Sequence, residues 1–429
     1  MIDLPEGWTI EPFSQVARYT TGRTPARANP AYWAKGERQV PWVAISDMEQ
    51  YGIITETAES VSALAFEHVF RERIVPAGTL LMSFKLTIGR VATLGIPACH
   101  NEAIISIFPR EGVDQRYLGY FLSQVDYADH QDRQIKGNTL NQSKIDQIQV
   151  VLPPSNEQSR IADVLDKCRL GINTERAAEK TAEELKRAAM RELFTRGLRG
   201  EPQKDTEIGL MPESWSPRTI LDLCEIWSGG TPRKSVTEYW KGDIPWVSGK
   251  DLKRPVLDDA IDHVSAAGVE AGSRLAPEGA VLLLVRGMGL AKDLPVAVIN
   301  RPMAFNQDVK ALVSRGQYSG QFLRSAIYAG KERLLSQIVP SAHGTMTLNL
   351  NDVETFKVAC PSDPDEAKDI VSILDTLDSK IDLHQKKRKV LEELFESLLH
   401  KLMTGEIAVS DLDLSALSPA STQPEEATA

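Results

Sequence analysis

The chain has 429 residues, 42 % of them apolar and 25 % charged, and a net charge of −10. This describes a globular protein of about two or three domains with a substantial core. The acidic balance counts against a protein that coats nucleic acid by bulk electrostatics, which needs clustered cations, but not against a reader within a larger assembly, and no apolar run approaches the roughly 18 residues of a membrane span.

Other composition signals narrow the class further. The opening residues from Met1 to Trp8 are acidic and lack the apolar core of a signal peptide. Cys99, Cys168, Cys224 and Cys360 are scattered, and the seven histidines form no HExxH. That spacing speaks against a zinc ribbon or a disulfide framework and fits a reducing cytoplasm.

In chain order, residues 1–152 read as a strand-rich globular domain. Runs such as 40–45 and 78–84 are apolar and flanked by Gly and Pro. Residues 153–200 read as a long helix, started by Pro153-Pro154-Ser155 and stopped at Gly197. Its apolar residues Ile161, Leu165, Cys168, Ile172, Ala182, Ala189 and Leu193 form a loose heptad seam. Residues 201–361 return to strand-like runs, among them 279–285. Residues 362–408 form a second long helix, started by Pro361-Ser362 and stopped at Gly405. Its seam is tighter: Ile370, Leu374, Leu377, Ile381, Leu391, Phe395, Leu398 and Leu402, with His384 and Arg388 in the gap. Residues 409–429, rich in Ser, Pro, Ala and Glu, predict a disordered tail.

The chain repeats itself once. Leu4-Pro5-Glu6-Gly7-Trp8 returns as Met211-Pro212-Glu213-Ser214-Trp215, and Thr21-Gly22-Arg23-Thr24-Pro25 as Gly229-Gly230-Thr231-Pro232. Tyr32-Trp33 returns as Tyr239-Trp240, Val40-Pro41-Trp42-Val43 as Ile244-Pro245-Trp246-Val247, and Asn101-Glu102 as Asn306-Gln307. Gly137-Asn138-Thr139-Leu140-Asn141 matches Gly344-Thr345-Met346-Thr347-Leu348-Asn349, and Leu152-Pro153 matches Cys360-Pro361. A period near 200 residues is too long for a solenoid and indicates two copies of a whole domain with its connector.

A helix of about 40 residues spans about 60 Å, and a helix with one apolar seam needs a partner. The expected fold is therefore α+β: two similar, mixed, strand-rich domains separated by two long helices that pair as an antiparallel coiled coil, with pseudo-two-fold symmetry.

These duplicated motifs, over roughly residues 4–407, resemble the specificity subunits of type I restriction–modification enzymes, as does the closing segment Leu398-Leu399-His400-Lys401-Leu402-Met403-Thr404-Gly405-Glu406-Ile407. The resemblance implies two target-recognition domains, each reading half of a bipartite, asymmetric double-stranded DNA site. It implies helices that dock methyltransferase subunits, two of them, along with restriction subunits. S-adenosylmethionine, ATP and Mg would belong to those partners, this chain would carry no cofactor and do no chemistry, and the complex would work in a bacterial or archaeal cytoplasm. The expected partner-binding residues are Ile161, Leu165, Ile172, Leu193, Ile370, Leu374, Leu377, Ile381, Leu391, Leu398 and Leu402. One departure is Pro364-Asp365-Glu366-Ala367, which stands where the first helix has Pro153-Pro154-Ser155-Asn156-Glu157-Gln158.

DNA-contact candidates sit in loops that differ between the copies. After the strand at 78–84 come Lys85, Thr87, Gly89 and Arg90; after that at 279–285 come Arg286, Gly287, Gly289 and Lys292. A cation on a Gly-flanked turn can reach a phosphate or a base edge; the plain alternative is a surface turn. Arg23 and Thr24, Arg233 and Lys234, and Lys250 are candidates on the same grounds. Asn141, Lys144 and Asn351 are too, although helix capping accounts for them as well. Trp33, Trp42, Trp240 and Trp246 fit core anchoring better than base stacking, since all four recur in the shared frame. Lys386-Lys387-Arg388-Lys389 reads as a solvated helix face or a backbone contact.

Enzyme motifs are weak. Gly287-Met288-Gly289 lacks the third glycine of a dinucleotide loop. Pro364-Asp365 with Asp378-Ser379-Lys380 fits the loose PD…(D/E)xK nuclease pattern, but inside a heptad helix rather than on a sheet. A helical scaffold without DNA specificity is the other alternative.

Overall fold

The structure, a computed structural model, describes residues 4–33, 39–127, 132–134, 137–340 and 345–412. Packing divides the chain into two compact units: residues 1–176 with 386–429, and residues 177–385. Each unit thus holds one strand-rich domain together with half of each long helix.

The first unit is built on a five-stranded sheet with spatial order Ala17–Thr21, Ile104–Pro109, Leu80–Ser83, Val91–Leu94, Gly52–Ile54. All pairs are antiparallel except the last. A three-stranded sheet, Glu59–Ser62, Gln39–Val43 and Cys99–His100, packs beside it. The second unit repeats this order with Cys224–Ser228, Val309–Ser314, Val281–Leu284, Val296–Ile299 and Val256–Leu257. Its smaller sheet adds a fourth strand, Leu275–Ala276.

The central strand of each sheet is an unbroken apolar run, Leu80-Leu81-Met82 and Val281-Leu282-Leu283-Leu284, because both faces are covered. One cover is an amphipathic helix, Gln115–Gln124 capped by Asp114, matched by Gly320–Ala329 capped by Ser319. A two-stranded ribbon closes each domain by joining its ends: Thr9–Pro12 with Gln149–Leu152, and Ser216–Thr219 with Lys357–Cys360.

The long helices run over Ser155–Arg196 and Pro364–Met403. In the first unit Ile161, Leu165, Cys168 and Ile172 share a core with Phe395, Leu398 and Leu402. In the second, Met190, Leu193 and Phe194 share one with Ile370 and Leu374. The start of each helix thus meets the end of the other, which is antiparallel pairing.

The expected disordered tail lies outside the described residues from 413 on. Its first residues, Val409–Asp411, form a short turn with Val409 buried in the core of the first unit. Composition missed this because one buried valine suffices to anchor three residues.

Candidate nucleic-acid interface

Strand register places the candidate loops together. Thr21 pairs with Ile105 and Ser83 with Ile104, so the loops after Thr21, after Ser83 and before Ile104 leave the same end of the sheet. In the second unit Ser228 pairs with Lys310 and Leu284 with Val309, so the loops around Arg233, Arg286 and Asn306 also share one end. The Leu140 N–H donates to the Phe84 carbonyl at 3.0 Å, and the Leu348 N–H to that of Val285 at 2.8 Å, which brings the Asn141 and Asn349 turns to the same ends.

The GxTP loops are anchored by backbone proximity. A Cβ on Gly22 would lie 2.1 Å from the His100 carbonyl oxygen, and one on Gly229 would lie 2.2 Å from that of Phe305, so only glycine fits. Thr24 donates its hydroxyl to Glu102, and Thr231 donates to Gln307 Oε1 at 2.6 Å. This pairing explains why Asn-Glu and Asn-Gln recur with the GxTP motif. Trp42 Nε1 donates to the Arg23 carbonyl and Trp246 Nε1 to that of Gly230, each at 3.0 Å. Trp33 and Trp240 meet those rings edge-on, at 5.1 and 5.0 Å between centroids. All four tryptophans are thus part of the frame, and Arg27 stacks on Trp33 at 3.9 Å while pairing with Glu59.

The candidate side chains divide by what already holds them. Arg90 is half-buried, and its Nη1 donates to the carbonyls of Ile45 and Met48, both at 3.3 Å. It therefore ties its loop to the turn at residues 45–48. Thr24 is spent on Glu102, Arg23 Nη1 donates to the Val69 carbonyl at 2.8 Å, and Lys250 pairs with Asp262 at 2.7 Å, which raises its pKa. Asn141 caps its short helix by accepting from the Lys144 N–H at 3.0 Å, and Asn351 accepts the Thr355 hydroxyl on its carbonyl at 2.7 Å. By contrast Lys85, Arg233, Lys234, Arg286 and Lys292 have no carboxylate partner among the described residues, and all but half-buried Lys85 are exposed. Thr87 is exposed on the same turn as Lys85.

Chemistry at these ends is unpromising. His100 is buried beside Ser106, and burial pushes its pKa down to about 4. Burial pushes the thiols of Cys99, Cys224 and Cys360 up to about 12, far from a nucleophile's range. No group of His, Cys, Asp and Glu among the described residues could hold a metal ion. The nuclease pattern fails on geometry. Asp365 pairs with Lys368 at 2.6 Å and Asp378 with Lys186, on one helix and about 20 Å apart at 1.5 Å per residue.

The seam residues serve the chain's own core. Ile161, Leu165, Ile172, Leu193, Ile370, Leu374, Leu398 and Leu402 are buried, and Leu377, Ile381 and Leu391 half-buried. What the long helices leave exposed is a different set, including Leu170, Leu185, Leu383 and Val390. Heptad spacing marks the seam but not which chain fills it.

Sequence reasoning missed a tryptophan–glutamate latch, buried in the second unit and half-buried in the first. Trp8 Nε1 donates to Glu157 Oε2 at 3.2 Å, and Trp215 Nε1 to Glu366 Oε2 at 3.1 Å. The signal was available: each tryptophan of the duplicated opening has a glutamate at the matching helix start.

The chain matches the family described as the type I restriction modification DNA specificity domain twice, over residues 5–184 and 212–393. It is similar to the MjaIX specificity subunit of Methanocaldococcus jannaschii, with 24 % identity over 425 residues and 95 % of each chain covered. It is also similar to the EcoR124I/EcoR124II specificity subunit of Escherichia coli, with 27 % identity over 253 residues, 56 % of this chain and 59 % of that one. Among solved structures, the S subunit of the type I restriction-modification system from M. genitalium superposes with a TM-score of 0.58 at 14 % identity, covering 93 % of this chain and 96 % of that one. A chain from a study of complex assembly in the type I R-M system gives 0.55 at 17 % identity, covering 94 % and 100 %.

Proposed function

The chain belongs to the type I restriction modification DNA specificity family, and we propose that each of its two units reads one half of a bipartite, asymmetric duplex through the loops at its sheet end. The role itself, DNA-sequence specificity within a restriction–modification system without catalysis by this chain, comes with family membership. The observation that carries the finer reading is the pairing of one shared frame with unlike loops. Residues 84–90 and 285–295 connect equivalent strands, yet the second loop is four residues longer. Frames alike and loops unlike are what two readers of two different half-sites require, because base edges are read by side chains at fixed positions.

In this reading Lys85, Arg233, Lys234, Arg286 and Lys292 supply phosphate and base contacts. Arg23, Thr24, Arg90, Asn141, Lys144, Lys250 and Asn351 shape the loops that present them. The subunit acts with methyltransferase and restriction subunits on DNA. Two methyltransferase subunits would dock on the outer faces of the long helices, around Leu170, Leu185, Leu383 and Val390. S-adenosylmethionine, ATP and Mg would be bound by those partners, in a bacterial or archaeal cytoplasm. No helix among the described residues is long and apolar enough to cross a membrane.

The test is a domain exchange. Replacing residues 1–152 with the matching part of a relative should change one half of the methylated motif and leave the other. A change in both halves would show that the domains do not read independently.

A further inference from the structure

Two loops at the sheet ends expose an apolar side chain that the fold does not use. In the first unit the turn 84–90 is tightly held. The Ser83 N–H donates to the Arg90 carbonyl and the Gly89 N–H to that of Ser83, each at 2.9 Å, while the Ser83 hydroxyl donates to the Thr87 carbonyl. Ile88 turns inward and packs on the core. Leu86, two residues earlier, is 68 % exposed and holds a φ of +64°, a left-handed conformation that a leucine rarely adopts.

The second unit repeats the device with different chemistry. Leu290 is buried, and Met288, two residues earlier, is 63 % exposed. The turn is fixed by the Gly287 N–H donating to the Met346 carbonyl at 2.9 Å and the Lys292 N–H to that of Gly289 at 3.0 Å. In each loop the outward apolar residue follows a cation that has no carboxylate partner among the described residues, Lys85 or Arg286. An apolar tip beside a cation fits a surface that is anionic overall with apolar spots. Duplex DNA is such a surface, and in the major groove its apolar spot is the thymine C5 methyl.

Resting on the proposed reading of DNA by the sheet ends, we infer that Leu86 and Met288 are specificity-determining residues. Each contacts the methyl group of a thymine, one in each half-site, while Lys85 and Arg286 hold the adjacent phosphate or base edge. The left-handed backbone at Leu86 belongs to a turn that leaves this side chain exposed.

The test uses the chain assembled with its methyltransferase partners and a duplex carrying the motif found by methylome mapping. Single thymines are replaced by uracil, which removes only the methyl. The expected result is a loss of about fourfold in affinity at one thymine in each half-site, the factor that burial of one methyl group supplies. Leu86→Ser should abolish the response in one half only, and Met288→Ser in the other only. Leu86→Gly, which suits the φ, should behave as Leu86→Ser. A wild-type complex indifferent to every replacement, a half-site without an A·T pair, or variants that keep the response would each overturn the inference. Absence of any sequence-specific duplex binding would instead overturn the DNA reading on which it rests.

Discussion

Trp215 Nε1 donates to Glu366 Oε2 at 3.1 Å, and the other oxygen of the same buried carboxylate accepts the Leu198 N–H at 2.7 Å. One side chain at the start of the second long helix thus fastens both the opening of the second domain and the end of the first long helix. Gly197, beside it, has no room for a Cβ, which would lie 2.7 Å from Glu366 Oε1. The apparent departure at Pro364-Asp365-Glu366-Ala367 therefore keeps the residue that matters and replaces Gln158, whose amide binds the Pro153 carbonyl at 2.8 Å, with Ala367.

Glu366→Ala should destabilise the second unit by about 2–3 kcal/mol, since it removes two hydrogen bonds to a buried charge. Glu157→Ala, at a half-buried position where the carboxylate accepts from Trp8 alone among the described residues, should cost about 1 kcal/mol. Urea unfolding of the two variants checks the order; equal losses would contradict the ranking by burial, and no loss in either would mean that the latch carries no stability.

The GxTP glycines should be irreplaceable for a steric reason. Gly22→Ala and Gly229→Ala force a Cβ against a carbonyl oxygen and should each cost well over 2 kcal/mol. Gly78→Ala and Gly279→Ala have open space but positive φ, +85° and +81°, and should cost about 1 kcal/mol. Thermal unfolding of the four variants measures the contrast.

The first unit should lose stability in mild acid. His100 is neutral when folded, with a pKa of about 4, and ordinary near 6.5 when unfolded. As pH falls below 6.5 the unfolded chain takes up a proton that the folded chain refuses, so stability drops until about pH 4. The loss between pH 7.5 and 5 should be about 2 kcal/mol. In the second unit Phe305 holds the matching register position, opposite Val247 as His100 is opposite Val43, and Ala311 matches Ser106. His100→Phe with Ser106→Ala should remove this acid sensitivity, and an unchanged pH profile would contradict the assignment.

The exposed cations should act on DNA and not on folding. Arg286→Ala and Arg233→Ala should leave the melting temperature unchanged and weaken duplex binding. Each should lower the salt slope of log K by about 0.9 if it neutralises one phosphate. Arg90→Ala should do the reverse, costing stability through its two carbonyl contacts. A variant of Arg286 that binds as wild type across salt concentrations would remove that side chain from the interface.

Much of the architecture was legible in the sequence because it is written twice. The repeated Gly, Thr, Pro and Trp marked one frame, and periodicity placed the helices to within a few residues of Ser155–Arg196 and Pro364–Met403. Occupancy was less legible. A heptad seam reads the same whether a partner or the chain's own domain fills it, and here Phe395 and Leu398 meet Ile161 and Tyr117 in one core. Cations in loops also look alike until their neighbours are known: Arg90 faces two carbonyls, while Arg286, in the equivalent loop, has no carboxylate partner among the described residues. The Trp–Glu latch spans about 150 residues of sequence, a separation that no local pattern reports.

The most direct test of two independent readers is methylome mapping of cells that carry this chain with its methyltransferase partners, beside cells carrying Arg286→Ala. The expected motif is bipartite, with two unlike halves, and the variant should relax bases in one half alone. A continuous or perfectly palindromic motif, or relaxation spread over both halves, would contradict it.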